Sequence, residues 1–191
     1  MFIRQVFLSV ARCVLLGLPI ATTTVAALAE EGPSASRGPL IDRFGPVYEV
    51  AEPGFVTPLG LEYKAVFDVG PSPEDPATVN PRIESLARFL NMHARAGVKP
   101  ANMHLALVLH GPAGKDALSS PAYKRRHGVE NPNAPLLEAL RAQGVEIVLC
   151  GQTAVHNGFK RDEIAPSVAT SLSAMTALVA LQAQGYGLIA F

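Results

Sequence analysis

The stretch Gly144-Val-Glu-Ile-Val-Leu-Cys150-Gly-Gln-Thr153 constrains the fold more than any other segment. Val145, Ile147, Val148 and Leu149 form a short apolar run, the composition of a strand covered on both faces of a parallel sheet. Cys150 stands at its carboxyl end, the edge where open α/β sheets place their ligands. Two other runs follow the same plan. Tyr63 to Val69 stops at Gly70-Pro71, and Met103 to Leu109 leads into His110-Gly111-Pro112-Ala113-Gly114. Helical patterns lie between them. Asn80-Pro81 supplies an N-cap and a proline at the first helical position, and Ile83, Leu86, Ala87, Leu90 and Ala94 then share one face up to Gly97. Asn131-Pro132-Asn133 punctuates the chain before Leu136, Leu137 and Leu140, which mark a helix ended by Gly144. A weaker pattern places a helical turn or short helix over Asp116 to His127.

After Gly151, the run Gln152 to Gly158 reads as a short helix or loop. A fourth strand is expected over Val168 to Leu172. Ser173 caps a helix over Ala174 to Gln184, closed by Gly185, and a final strand covers Tyr186 to Phe191. Strands alternating with helices through short loops predict a single α/β domain with a mostly parallel sheet of about five strands. Right-handed crossovers place every strand's carboxyl end on one edge. Asp68 to Gly70, His110-Gly111 and Cys150-Gly151 are therefore expected to converge although they are distant in sequence.

The chain before this domain divides in two. Residues 1–29 have a basic start at Arg4 and Arg12, an apolar run from Cys13 to Ala21, and the ending Ala27-Leu28-Ala29. This is the layout of a cleavable secretory signal, with Glu30 as the expected mature terminus and the periplasm as the expected compartment. The apolar run is short of the ~20 residues that a membrane span needs, so no stable membrane insertion is expected after cleavage. Residues 30–60 carry prolines at 33, 39, 46, 53 and 58 and glycines at 32, 38, 45, 54 and 60. Such a segment sustains neither a helix nor a central strand. Its apolar residues Phe44, Val47, Tyr48, Val50 and Phe55 predict an extended arm packed on its own domain or on a neighbouring subunit. The domain itself is assigned to residues 61–191.

Cleavage changes the charge and the thiols. The precursor has 16 basic and 16 acidic residues; loss of Arg4 and Arg12 leaves 14 against 16, a net charge of −2. No basic stripe remains, which argues against nucleic acid as a partner. Of two cysteines only Cys150 is retained, so a disulfide scaffold is ruled out for the mature chain. An unpaired cysteine in an exported protein is either a reactive or intermolecular thiol or a buried structural residue.

A thiol is a nucleophile only as thiolate, and its pKa must fall for that at neutral pH. Backbone N–H groups over Gly151 to Thr153 would stabilise an anion on Cys150, and His110 or His156 could stand close to it. Gln152 either donates to a bound sulfur or oxyanion or caps the turn. Asn91 lies among the apolar positions of its helix, where it is unfavourable unless hydrogen-bonded, and a packing role is expected. The basic run Lys124-Arg125-Arg126 is either a solvated face or an anion site. The five histidines, at 93, 104, 110, 127 and 156, show no metal-ligand spacing, so no metal is expected. Gly111-Pro-Ala-Gly114 lacks the Gly-x-Gly-x-x-Gly and Walker spacings, so no nucleotide cofactor is expected either.

The serial order of Asn91-Met-His with Gly97-Val98, the strand into His110-Gly111, Asn131-Pro-Asn133 and Gly144-Val145 into Cys150-Gly-Gln-Thr153 resembles the DsrE/DsrF-like family of sulfur-relay proteins. Ser171-Leu-Ser-Ala-Met175 and the ending Gly185-Tyr186-Gly-Leu-Ile complete the resemblance, which spans Tyr63 to Phe191. It implies a flavodoxin-like three-layer fold assembled as trimers or hexamers. It also implies a cysteine that carries sulfur as a persulfide between donor and acceptor proteins or small sulfur compounds, and Cys150 occupies the matching place. His110, Gly111, Gly151 and Gln152 fit the pattern as substrate-binding candidates. The founding members are cytoplasmic, whereas this chain carries an export signal. Two other classes of function stay open: an oligomeric small-ligand-binding or accessory module without catalysis, and a cysteine hydrolase with His110 as base.

Overall fold

The computed structural model describes residues 34–190; the expected signal segment lies outside them. Five strands form one sheet in the order β4-β3-β2-β1-β5, every pair parallel: β1 (Tyr63–Val69), β2 (Met103–Leu109), β3 (Glu146–Cys150), β4 (Ala169–Ser171) and β5 (Gly187–Ala190). The chain walks outward from β1 to β4. The helix α5 (Ala174–Ala183) then carries it back across the sheet to the far edge. On one face, α1 (Pro81–Arg95) and α3 (Ala134–Ala142) cover Phe67, Leu107, Leu109, Ile147 and Leu149. On the other, Val66, Ala106, Val108 and Val148 meet Ala177 and Leu181 of α5. The result is the three-layer flavodoxin-like architecture that the strand–helix alternation calls for. Full burial of a side chain such as Leu149 contributes about 2 kcal/mol.

The α1 signals act as expected. Asn80 accepts from the Arg82 N–H at 3.0 Å, Pro81 opens the helix, and Gly97 follows its end in the left-handed conformation (φ +95°). Asn91, fully buried on α1, clamps the preceding arm. Its Oδ1 accepts from the N–H groups of Leu40 and Ile41, and its Nδ2 donates to the carbonyls of Ile41, Phe44 and Gly45. Ile41 and Val47 are buried there, while Tyr48, Val50 and Phe55 are exposed.

The expected turn over Asp116 to His127 divides differently. A 3-10 segment covers Gly111–Ala117, and α2 begins afresh at Ser120 and runs to His127. The break arises because Asp116 turns inward. Its buried carboxylate accepts from Asn80 Nδ2 at 2.8 Å and from the Ser72 hydroxyl at 3.1 Å. Burial pushes that carboxyl's pKa up, against the lowering by Asn80, Lys115 and Ser72. Asn133 Oδ1 accepts the Asn80 backbone N–H, and Asn131 Nδ2 donates to the carbonyls of Asp116 and Leu118. The punctuation at Asn131-Pro132-Asn133 therefore fixes the loop that leaves β2. Further on, β4 is shorter than expected, and Ser173 caps α5 by accepting from Thr176 N–H at 3.0 Å.

Candidate functional site

Cys150 ends β3, and α4 (Gly151–His156) starts at the next residue. The pairing Leu109↔Leu149 brings His110 and Cys150 to neighbouring positions just beyond it. Side chains alternate along a strand. Val66 and Val148 face α5, so Asp68 and Cys150, two residues further along β1 and β3, are directed to that face as well, while His110 stands just past the end of β2.

Cys150 is 6% exposed, and its thiol is free. Burial pushes the thiol pKa up. The Thr153 hydroxyl and the N–H groups of Thr153, Ala174 and Gln152 outweigh it, and the net shift is downward. The N–H groups of Gln152 and Thr153 belong to the first turn of α4, and that of Ala174 opens α5. Thr153 has a second attachment: its Oγ1 accepts the Gly111 N–H at 3.0 Å. The lone pair so occupied leaves the hydroxyl proton free to point at the sulfur. Gly151 is demanded by close approach, because a Cβ there would collide with the Ser171 carbonyl.

His110 is committed elsewhere. Its Nε2 lies 2.8 Å from Asp68 Oδ1, with both side chains partly exposed, and a Cβ on Gly70 would come within 2.7 Å of the ring's Cε1. The imidazole therefore reaches toward β1, away from β3. Among the described residues, the groups that act on the thiol include no imidazole. The hydrolase arrangement, which needs the sulfur within hydrogen-bond reach of His110, loses its support. Gln152 is exposed and donates to the Leu172 carbonyl at 3.3 Å, which is a turn-bracing contact. Gly111 and Gln152 line a cleft on the outer side of α4; Cys150 and His110 do not. His156 is exposed on that same cleft.

Neither the role of the Thr153 hydroxyl nor the pairing of Asp68 with His110 is among the sequence-based expectations. The Thr153 hydroxyl was detectable from spacing, since it lies three residues after a strand-end cysteine that begins a helix, the position whose N–H faces an N-cap side chain. Asp68 is expected at the same edge as His110, but their pairing gave no local signal, because it joins residues 42 positions apart. The basic run Lys124-Arg125-Arg126 makes ion pairs, Lys124 with Glu130, and Arg125 and Arg126 sharing Glu163, and Arg126 also lines the cleft outside α4. Among the described residues no three His, Cys, Asp or Glu side chains gather as a metal site would, and no helix is long and apolar enough to cross a membrane.

Sheet order, layering and a thiol at a strand's carboxyl end define a flavodoxin-like α/β protein with a cysteine-bearing edge. The chain belongs to the DsrE/DsrF-like family, which it matches over residues 64–191. Among solved structures it is similar to a protein of unknown function from Methanobacterium thermoautotrophicum, with a TM-score of 0.52 and 17% identity over 68% of this chain and 99% of that one. It is also similar to the ychN protein of E. coli, with a TM-score of 0.49 and 18% identity over 68% and 99% of the two chains. The first of these likenesses supports the fold alone. No curated protein sequence matches the chain.

Proposed function

We propose that this protein handles sulfur in the periplasm, with Cys150 accepting sulfane sulfur as a persulfide and passing it on. Membership of the family supports a sulfur-relay role in general terms. The observation that carries the finer reading is the Cys150 thiol, lowered in pKa by the Thr153 hydroxyl and three backbone N–H groups despite its burial. The chemistry balances with a persulfide donor. The Cys150 thiolate attacks the outer sulfur of R–S–SH, the S–S bond breaks, RS⁻ departs and Cys150–S–SH forms. An acceptor thiolate then attacks that outer sulfur, takes it with its proton, and regenerates the Cys150 thiolate.

Intact-mass spectrometry of the exported protein after polysulfide treatment tests this. The expected result is a gain of about 32 Da per sulfur that reductant removes and that Cys150→Ala abolishes. An adduct that survives in Cys150→Ala, or none in wild type, overturns the persulfide reading. The same spectrum reads the proposed export, which requires a mature chain beginning at Glu30.

Burial of the thiol to 6% exposure favours a second reading, an oligomeric ligand-binding module without catalysis. Refusal of native Cys150 to react with iodoacetamide, with full reaction after denaturation, selects that module.

Self-assembly as a trimer or hexamer belongs to the proposal under either reading. Its support is the family resemblance together with α5, which carries no charged residue and leaves Met175 and Val179 exposed one helical turn apart, beside exposed Leu172. Light scattering is expected to give three or six copies, and Val179→Glu is expected to shift the protein toward monomer. A wild-type monomer at micromolar concentration would remove assembly from the proposal.

A further inference from the structure

The cleft outside α4 has a volume of about 910 Å³ and is walled by the 3-10 segment Gly111–Ala117, α2 and α4. Among the described residues, its charged lining is Lys115 and Arg126, beside the imidazoles of His127 and His156, with no carboxylate. One wall is continuous. The Lys115 ammonium stands 3.3 Å from the Tyr123 hydroxyl, the Tyr123 ring packs on His127 at 4.5 Å between centroids, and Arg126 lies over Phe159 at 5.0 Å. Arg126 is also tied to the carbonyls of Asn157 and Gly158, so its guanidinium is held in place. Burial chiefly, and then the charges of Lys115 and Arg126, hold the His127 imidazole below its ordinary pKa against the opposite pull of Asp116, so both cations act on one spot.

The carboxylates that accompany these cations, Glu163, Asp116 and Asp75, stand outside the cleft's lining. Glu163 serves Arg125 and Arg126 at once. Asp116 Oδ1 lies 3.3 Å from the Lys115 ammonium and also accepts from the Ser72 hydroxyl, while its Oδ2 accepts from Asn80; this carboxylate is wholly buried and does not line the cleft. The recess thus presents two cations on its own surface, with their carboxylate partners set behind them. Charge-assisted hydrogen bonds to an oxoanion are the favourable use of such a recess.

We propose that this cleft binds a small oxoanion, held by Lys115 and Arg126. Thiosulfate, sulfate and phosphate share the headgroup chemistry, and their relative affinities identify the source. Thr153 lines the cleft and also faces Cys150, but binding needs no chemistry at the thiol.

Titration calorimetry of the mature chain with sodium thiosulfate, sulfate and phosphate, each against a chloride background, tests this. Saturable binding of at least one anion is expected. Lys115→Gln and Arg126→Gln should each weaken it about tenfold or more. Lys124→Gln, which removes an exposed cation outside the cleft, should leave it unchanged, and so should Cys150→Ala. Retained binding in Cys150→Ala keeps this result separate from the fate of the persulfide reading. Absence of saturable binding for all three anions, or equal weakening by Lys115→Gln and Lys124→Gln, overturns the proposal. Should a cleft variant fold poorly, proton NMR of wild type decides: saturating shifts confined to the His127 and His156 ring protons support the cleft, and shifts absent there or equal at His104 overturn it.

Discussion

Asn91→Ala is expected to lower stability by about 3 kcal/mol and to release the arm before the domain unfolds. The side chain carries no exposed surface and makes five hydrogen bonds to the arm backbone, two as acceptor and three as donor. Truncation leaves those N–H and carbonyl groups in a partly dry interface, where each unsatisfied group costs ~1–3 kcal/mol. Water entering the space recovers part of that cost, which is why the expected loss is well below the sum. Arm and helix are also pressed together at Gly45, whose backbone is left-handed (φ +67°) and whose missing Cβ would strike the Arg88 N–H. Arg95 adds bonds from α1 to the carbonyls of Arg37 and Gly38. Denaturant titration measures the loss. Limited proteolysis should cut the variant between Arg37 and Arg43 under conditions in which wild type resists. Unchanged stability together with unchanged protease resistance would mean that Asn91 does not hold the arm.

The same residue shows where a sequence is informative. An asparagine amid Leu86, Leu90 and Ala94 breaks the apolar period of its helix, and the break alone demands a buried hydrogen-bond partner. Which partner is not encoded locally, because the arm lies about fifty residues away. Strand ends behave similarly. The periodicity of β1, β2 and β3 fixed their carboxyl ends within a residue, and parallel topology then brought Asp68, His110 and Cys150 to one edge of the sheet. What periodicity does not give is the direction of a side chain once the strand is over. His110 turned to Asp68 because a carboxylate one residue before the end of β1 was within reach, whereas Cys150 was left to Thr153 and backbone groups. The division of the 116–127 segment has a like cause, since a carboxylate drawn inward by a distant asparagine overrode a weak local preference for helix. The cationic cleft was legible only in part: the run Lys124-Arg125-Arg126 offered an anion site, but Lys115 and His156, which complete the lining, come from separate segments.

Thr153→Val is expected to move the pH midpoint of Cys150 alkylation upward and to slow the reaction at neutral pH about tenfold, the loss of one hydrogen bond to a charged sulfur. The shape of the residue is conserved, so the contact of its γ-methyl with the Gly114 segment survives, while the hydroxyl that faces the sulfur is gone. Burial already drives the thiol toward its neutral form, and in the variant only the N–H groups of Thr153, Ala174 and Gln152 oppose it. The sign of the linked stability follows. A thiol whose pKa is depressed in the folded state stabilises the fold fully above its unfolded value near 9.0, and that contribution is lost as pH falls through the folded value. The stability of wild type should therefore rise with pH across this window more steeply than that of Thr153→Val. A separate cost of about 1 kcal/mol is expected at every pH, because the Gly111 N–H loses its acceptor. Thr153→Ser separates the two effects from simple loosening of α4: it restores the hydroxyl but deletes the methyl. Recovery of the wild-type alkylation midpoint in Thr153→Ser, with or without recovery of stability, assigns the thiol's acidity to the hydroxyl. A midpoint that stays at the wild-type pH in Thr153→Val would instead place the whole effect in the backbone dipoles.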